Sequence, residues 1–275
     1  MAFENIDQLV SGTINSSQFL TFNKIGIIPR STFNDLFYSA GLPGSASLPA
    51  STSVGGTSYD SGSIGGLSFS RSIDSNEHIA SLSFSSTREG TFYLIDHLWG
   101  CGGLAITTGS TSTIVGMTNI TRYNNGEGCE IAFVNLNNTA SPGGGAGTKT
   151  MRVSYTNSEG VSGRTGSIIF PTITNTSPSY PFMVFSTLDD GDKGVQSVQS
   201  VTNTNISFSA GNIGLVILKR LIMMPIGLGS SGLQYDALKT GLINIDKNAC
   251  LSFVSATSNG VSTGMFNGTI NIITV

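Results

Sequence analysis

Residues 194–228, GVQSVQSVTNTNISFSAGNIGLVILKRLIMMPIGL, decide how the rest of the chain is read. The second half, 213–224, is the most apolar run in the sequence, rich in Leu and β-branched residues and interrupted by Lys219 and Arg220. Ahead of it, 201–209 partly alternates, and Ala210-Gly211-Asn212 supplies turn chemistry between two strands. The whole reads as a β-hairpin whose second strand is covered on both faces, since a near-continuous apolar run suits a doubly buried strand. A buried helix competes with this, because Val195, Val198 and Val201 sit three apart. Gly, Ser, Thr and Asn dominate that segment and are poor helix formers, so strand is the expectation.

Working outward, strand-like runs recur at 19–28, 67–70, 79–85, 91–98, 104–107, 130–135, 150–155, 167–173, 182–185, 250–255 and 269–275. Turn residues separate them, as in NNGEG at 124–128, PGGGAG at 142–147 and NSEG at 157–160. Helix is expected only at 2–10, where Phe3, Ile6, Leu9 and Val10 have helical spacing, and as a turn or two at 233–240. No fixed-period repeat argues for a solenoid or propeller. The expected fold is all-β, a jelly-roll-like β-sandwich, with a closed barrel as the lesser alternative.

Residues 41–66, GLPGSASLPASTSVGGTSYDSGSIGG, are nearly free of charge and rich in Gly, Ser, Pro and Ala. They read as an extended arm that orders along a neighbouring subunit. The expected division is therefore 1–66 as N-terminal helix, strand and arm, and 67–275 as the sandwich.

Only 11% of the 275 residues are charged, against about 25% in an ordinary soluble domain. Little electrostatic penalty then attends burial of surface inside an assembly. A net charge of −3 with scattered Lys and Arg gives no basic patch, so direct nucleic-acid binding is not expected. No apolar run approaches the roughly 20 residues of a membrane helix, and the opening MAFENIDQLVS lacks the features of a signal peptide. Cys101, Cys129 and Cys250 are odd in number and are not arranged as CxxC; three reduced thiols in a cytosolic setting are expected.

Candidate sites are few. Asp189-Asp190-Gly191-Asp192-Lys193-Gly194 clusters three carboxylates that could hold a hard cation, but a solvated turn is the favoured reading of Asp189, Asp190 and Asp192. GLGSSG at 227–232 matches GxGxxG, yet the helix and parallel strand of a dinucleotide site are missing from its context. His97 follows Asp96, and His78 follows Glu77, but strand neighbours point to opposite faces. No GxSxG elbow or zinc-ligand spacing accompanies them. Trp99 reads as a core or interface anchor ahead of a sugar-stacking platform. The expectation is no catalytic residue and no cofactor.

VSYTNSEGVSGRTG at 153–166, LDDGDKGVQSVQSV at 188–201 and the opening MAFENIDQLVSG resemble segments of virion structural proteins of tailed bacteriophages. The likeness covers about half the chain in patches, and residues 41–66 have no counterpart in it. It implies a non-enzymatic virion protein, assembled in the host cytoplasm and carried in the virion. Partners would be capsid or other virion subunits, with self-association and without membrane or direct nucleic-acid contact. Fold and composition favour a capsid decoration or cement protein. A tail or baseplate component is one alternative, and a carbohydrate- or receptor-binding module another.

Overall fold

The computed structural model describes residues 6–28, 32–49, 55–70, 77–105, 107–136, 149–170, 181–206, 213–227, 232–256 and 262–274. Its organising element is the strand formed by the apolar run, Ile213–Ile226, which lies in the larger of two antiparallel sheets. The smaller sheet runs β14 (Leu233–Asp236), β5 (Glu77–Ser86), β17 (Ser262–Thr274), β1 (Gln18–Ile28) and β3 (Ala40–Leu42), with β15 (Asn244–Ile245) also on β5. The larger sheet runs β2 (Phe33–Asp35), β16 (Leu251–Ala256), β6 (Gly90–Gly102), β13 (Ile213–Ile226), β8 (Cys129–Asn135) and β11 (Phe182–Thr187). It continues through β10 (Arg164–Phe170), β9 (Lys149–Asn157), β12 (Val195–Asn203) and β7 (Thr111–Thr113), with β4 (Thr57–Ser58) on β6. The expected all-β sandwich is the fold observed.

β13 is covered on both faces, as its composition requires. On one face Ile213, Leu215 and Ile217 enter a core shared with β8, β9, β10 and β12. Further along, Ile222, Met224 and Ile226 enter a second core beneath the small sheet. Val216 and Leu218 face the opposite way, into a third core that Ile95, Val134, Met183 and Val254 share. Because β2 pairs with both β16 and β11, the strands around this third core close into a small ring. Burying each such Leu or Ile contributes about 1.5–3 kcal/mol before entropy is counted.

Two bulges set which residues face which core. The β13–β6 register skips Leu221 on β13, between Arg220 and Ile222, and Leu98 on β6, between His97 and Trp99. An extra residue inverts the odd–even alternation beyond it. Odd residues of β13 therefore face the first core before Leu221, and even residues face the second core after it.

Several expectations need correction. The 194–228 hairpin is not formed: β12 pairs with β9 and β7, and β13 with β6 and β8. Val195, Val198 and Val201 sit in the same core as Ile213, Leu215 and Ile217, so the two strands face each other across it instead of pairing edge to edge. Their helix-like spacing of three is absorbed by bulges between Val195 and Ser197 and between Val198 and Ser200. The expected turn at 210–212 lies outside the described residues.

Residues 67–70 provide only a bridge from Leu67 to Leu251, and 104–105 lie outside any strand. Residues 233–240 divide into β14 and a single helical turn, Ala237–Thr240, capped by Asp236. The terminal helix, α1, spans Ile6–Asn15.

Strand pairing crosses residue 66. β1 is hydrogen-bonded to β17 from Gln18 to Ile28 and places Phe22 in the second core. Much of 41–66 lies on the chain's own sheets: Leu48 and Tyr59 are buried, and Thr57–Ser58 pairs with β6.

Candidate assembly surface and a buried ionic junction

The outer face of the small sheet follows directly from its register. Outward positions stand opposite one another in rows, because directly paired residues share a face. One row is Gln234, Ser83, Thr269 and Thr21; the next is Ser85, Asn267, Asn23 and Leu42. Hydroxyl and amide groups hold each other across these rows, as in Ser83 Oγ to Thr269 Oγ1 at 2.8 Å and Ser85 Oγ to Asn267 Oδ1 at 2.5 Å. Flanking rows carry Met265, Ile25 and Ala40 at one end, and Asn271 and Phe19 at the other. Asp236, at the β14 rim, is the single charged side chain in these rows.

α1 lies over the Phe19 end of this face. A Cβ on Gly12 would stand 3.2 Å from Ile273 Cδ1, so glycine allows the helix to settle on β17. Ser16 Oγ donates to Thr274 O and accepts from Thr274 N, which fixes the seat. At about 100° per residue, Ile6, Val10 and Ile14 centre on a line some 160° from Gly12. They accordingly point away from the sheet, and with Phe19 they are between 50% and 75% exposed. An amphipathic helix ordinarily buries its apolar stripe, so one that presents it outward marks a contact surface.

Beneath the large sheet lies a polar junction that no motif in the sequence marks as a site. Residues 122–126 form one turn, α2 (Arg122–Gly126), in which Tyr123, Asn124 and Asn125 have φ of 55°, 51° and 61°. Left-handed backbone costs about 1–2 kcal/mol per non-glycine residue. At Gly126 a Cβ would stand 1.9 Å from Val195 O, so no other residue fits there. The strain is offset by what the turn positions. Arg122 Nη1 donates to both Asp96 oxygens at 2.9 Å, and Tyr123 Oη donates to Asp96 Oδ2 at 2.8 Å. Cys250 N supplies a further donor to Asp96 Oδ1 at 2.7 Å. Lys219, directly opposite Asp96 in the ladder, lies 4.1 Å over the Tyr123 ring and donates to Glu127 O. Burial pushes the Asp96 carboxyl up, against the pull of Arg122 and the other donors.

Arg122 also donates to Asn248 O and Tyr59 O, so one side chain fastens β6, α2 and two loops. With both oxygens of Asp96 engaged by donors, the arrangement is a structural clamp. The signal for it in the sequence was NNG, since Asn and Gly are the residues that tolerate left-handed backbone.

Asp96 and His97 do diverge, as expected of strand neighbours: His97 Nε2 meets Asp35 Oδ2 at 2.9 Å on the other face, stacked on Phe37. His78 Nδ1 lies 3.1 Å from Leu242 O. Trp99 is buried in the first core, with Nε1 donating to Gly55 O. Cys101, Cys129 and Cys250 are buried and form no disulfide.

Asp189, Asp190 and Asp192 are used unequally. Asp192 accepts hydrogen bonds from Tyr155 Oη, Asn157 Nδ2 and Arg164 Nε. Burial would raise its pKa, but these donors and the Arg164 charge bring it below the usual carboxylate value. Asp189 pairs with Arg164, and Asp190 is exposed. Among the described residues no three His, Cys, Asp or Glu side chains are grouped to hold a metal ion. GLGSSG at 227–232 is described only at its first and last residues, and β14 follows it where a dinucleotide site needs a helix.

No protein-family model matches the chain, and no curated protein matches it in sequence. Among solved structures, the infectious bursal disease virus VP2 subviral particle aligns at 9% identity and a TM-score of 0.20, covering 94% of this chain and 80% of that one. A structure of the Gx strain of infectious bursal disease virus aligns at 9% identity and a TM-score of 0.23, covering 94% and 79%. Similarity at this level carries no argument about what the chain does.

Proposed function

We propose that this chain is a non-enzymatic virion structural protein, and more specifically a capsid decoration or cement protein. The observation that carries this reading is the outward apolar stripe of α1 beside an outer sheet face with one charged residue in its rows. A surface of that kind supports subunit contact, because burying it removes apolar area from water without stranding charge. The resemblance of 1–12, 153–166 and 188–201 to tailed-bacteriophage virion proteins supports the setting. In this reading the partners are capsid or other virion subunits, and cofactor, metal, membrane and nucleic acid have no part. Contacts that are individually weak hold firmly when repeated over a shell. The Asp96–Arg122 clamp fastens the backbone at Tyr59 and Asn248 to β6.

The reading is tested by quantifying the chain in purified particles and in particles assembled without it. Stoichiometric recovery on heads, with weaker heads in its absence, is expected. A few copies confined to the tail would favour a tail or baseplate component. Absence from particles, with glycan binding by the soluble protein, would overturn the reading in favour of a receptor module.

A further inference from the structure

The outer face of the small sheet has two dissimilar ends. At one, α1 raises Ile6, Val10 and Ile14 away from the sheet. At the other no helix is seated among the described residues, and Ile25, Leu42 and Met265 are between 45% and 60% exposed. Register places these three on adjacent strands, β1, β3 and β17. The dimensions correspond: from Ile6 to Ile14 the helix rises about 12 Å, and three neighbouring strands span about 10 Å. The charges correspond as well. Asp7, exposed, flanks the helix stripe, whereas exposed Arg88, with Nε donating to Thr263 O, flanks the sheet patch.

We propose that this face binds a second copy of the chain about a two-fold axis, with α1 of each copy laid across the Ile25–Leu42–Met265 patch of the other. A two-fold interface requires one surface to carry both halves of a complementary pair, and this face does. Each α1 then has its own sheet on the Gly12 side and the partner's sheet on the Val10 side. The inference rests on the assembly reading above and names the partner.

Sedimentation equilibrium at about 100 μM tests it, a concentration that occupies interfaces of standard size. The wild type is expected as a dimer, and Val10→Lys and Met265→Glu each as a monomer with an unchanged melting temperature, since both positions are exposed. Mixed in equal amounts, the two variants are expected to dimerise, because one site then pairs the new Lys with the new Glu and the other is wild type. Should Val10→Lys fold poorly, Ile14→Lys serves the same purpose. A monomeric wild type, a variant that still dimerises, or a mixture that stays monomeric would each overturn the pairing. A protein found on particles yet monomeric in solution would defeat this inference alone; a dimer never recovered with particles would defeat the proposed function alone.

Discussion

Arg122 reaches back 26 residues to hold both oxygens of Asp96 through one nitrogen, each at 2.9 Å. The carboxylate is fully buried, so its charge is tolerated only with its donors in place. Arg122→Ala is expected to destabilise the fold by about 3–5 kcal/mol, the typical cost of stranding one partner of a buried pair. Urea unfolding followed by tryptophan fluorescence measures this, Trp99 being the sole Trp and buried. A loss under about 1 kcal/mol, the range of exposed pairs, would mean that the clamp is not structural.

Asp192 gives a pH prediction with a defined sign. Its carboxyl is lowered below its ordinary 3.8, so in acid the unfolded chain binds a proton that the folded chain refuses. Its stabilisation is present above about pH 4 and is lost as pH falls through the depressed folded value. Asp192→Asn should be less stable than the wild type at pH 7, and the difference should narrow below pH 4. Parallel curves for the two proteins across that range would contradict the assignment.

The thiols should be silent in the native state. Burial pushes Cys101 up to about 11 and Cys129 up to about 12, and raises Cys250 further. Aromatic-disulfide titration at pH 8 should find almost no reaction until denaturant is added, and then three thiols without reductant. Recovery of one thiol would reveal a disulfide.

Truncations separate helix from strand. Removing residues 1–15 should leave a folded sandwich, since α1 rests on the outer face. Removing 1–66 should abolish folding, because β1 pairs along eleven residues with β17 and Phe22 packs on Phe84 and Phe253. A cooperative, strand-rich product from the longer truncation would support a division at residue 66.

The double coverage of β13 was legible because a run such as GLVIL leaves no polar face. Its partners were not legible, since β6 and β8 lie far away in sequence and only the folded register selects them. The bulges at Leu221 and Leu98 were hidden for a related reason: an inverted alternation looks, in one dimension, like no alternation. The apolar spacing of α1 pointed to a helix, and only the seat of Gly12 on Ile273 revealed that the apolar side faces out. The Asp96–Arg122 clamp needed a left-handed turn to form, and NNG signalled the turn without its target.

The proposed role is tested most directly by an electron cryomicroscopy map of an intact particle that contains this chain. Density for the sandwich is expected on the shell, with the outer face of the small sheet and α1 turned toward a neighbouring subunit. A shell without the chain, or a chain whose Ile6–Val10–Ile14 stripe faces open solvent throughout, would contradict it.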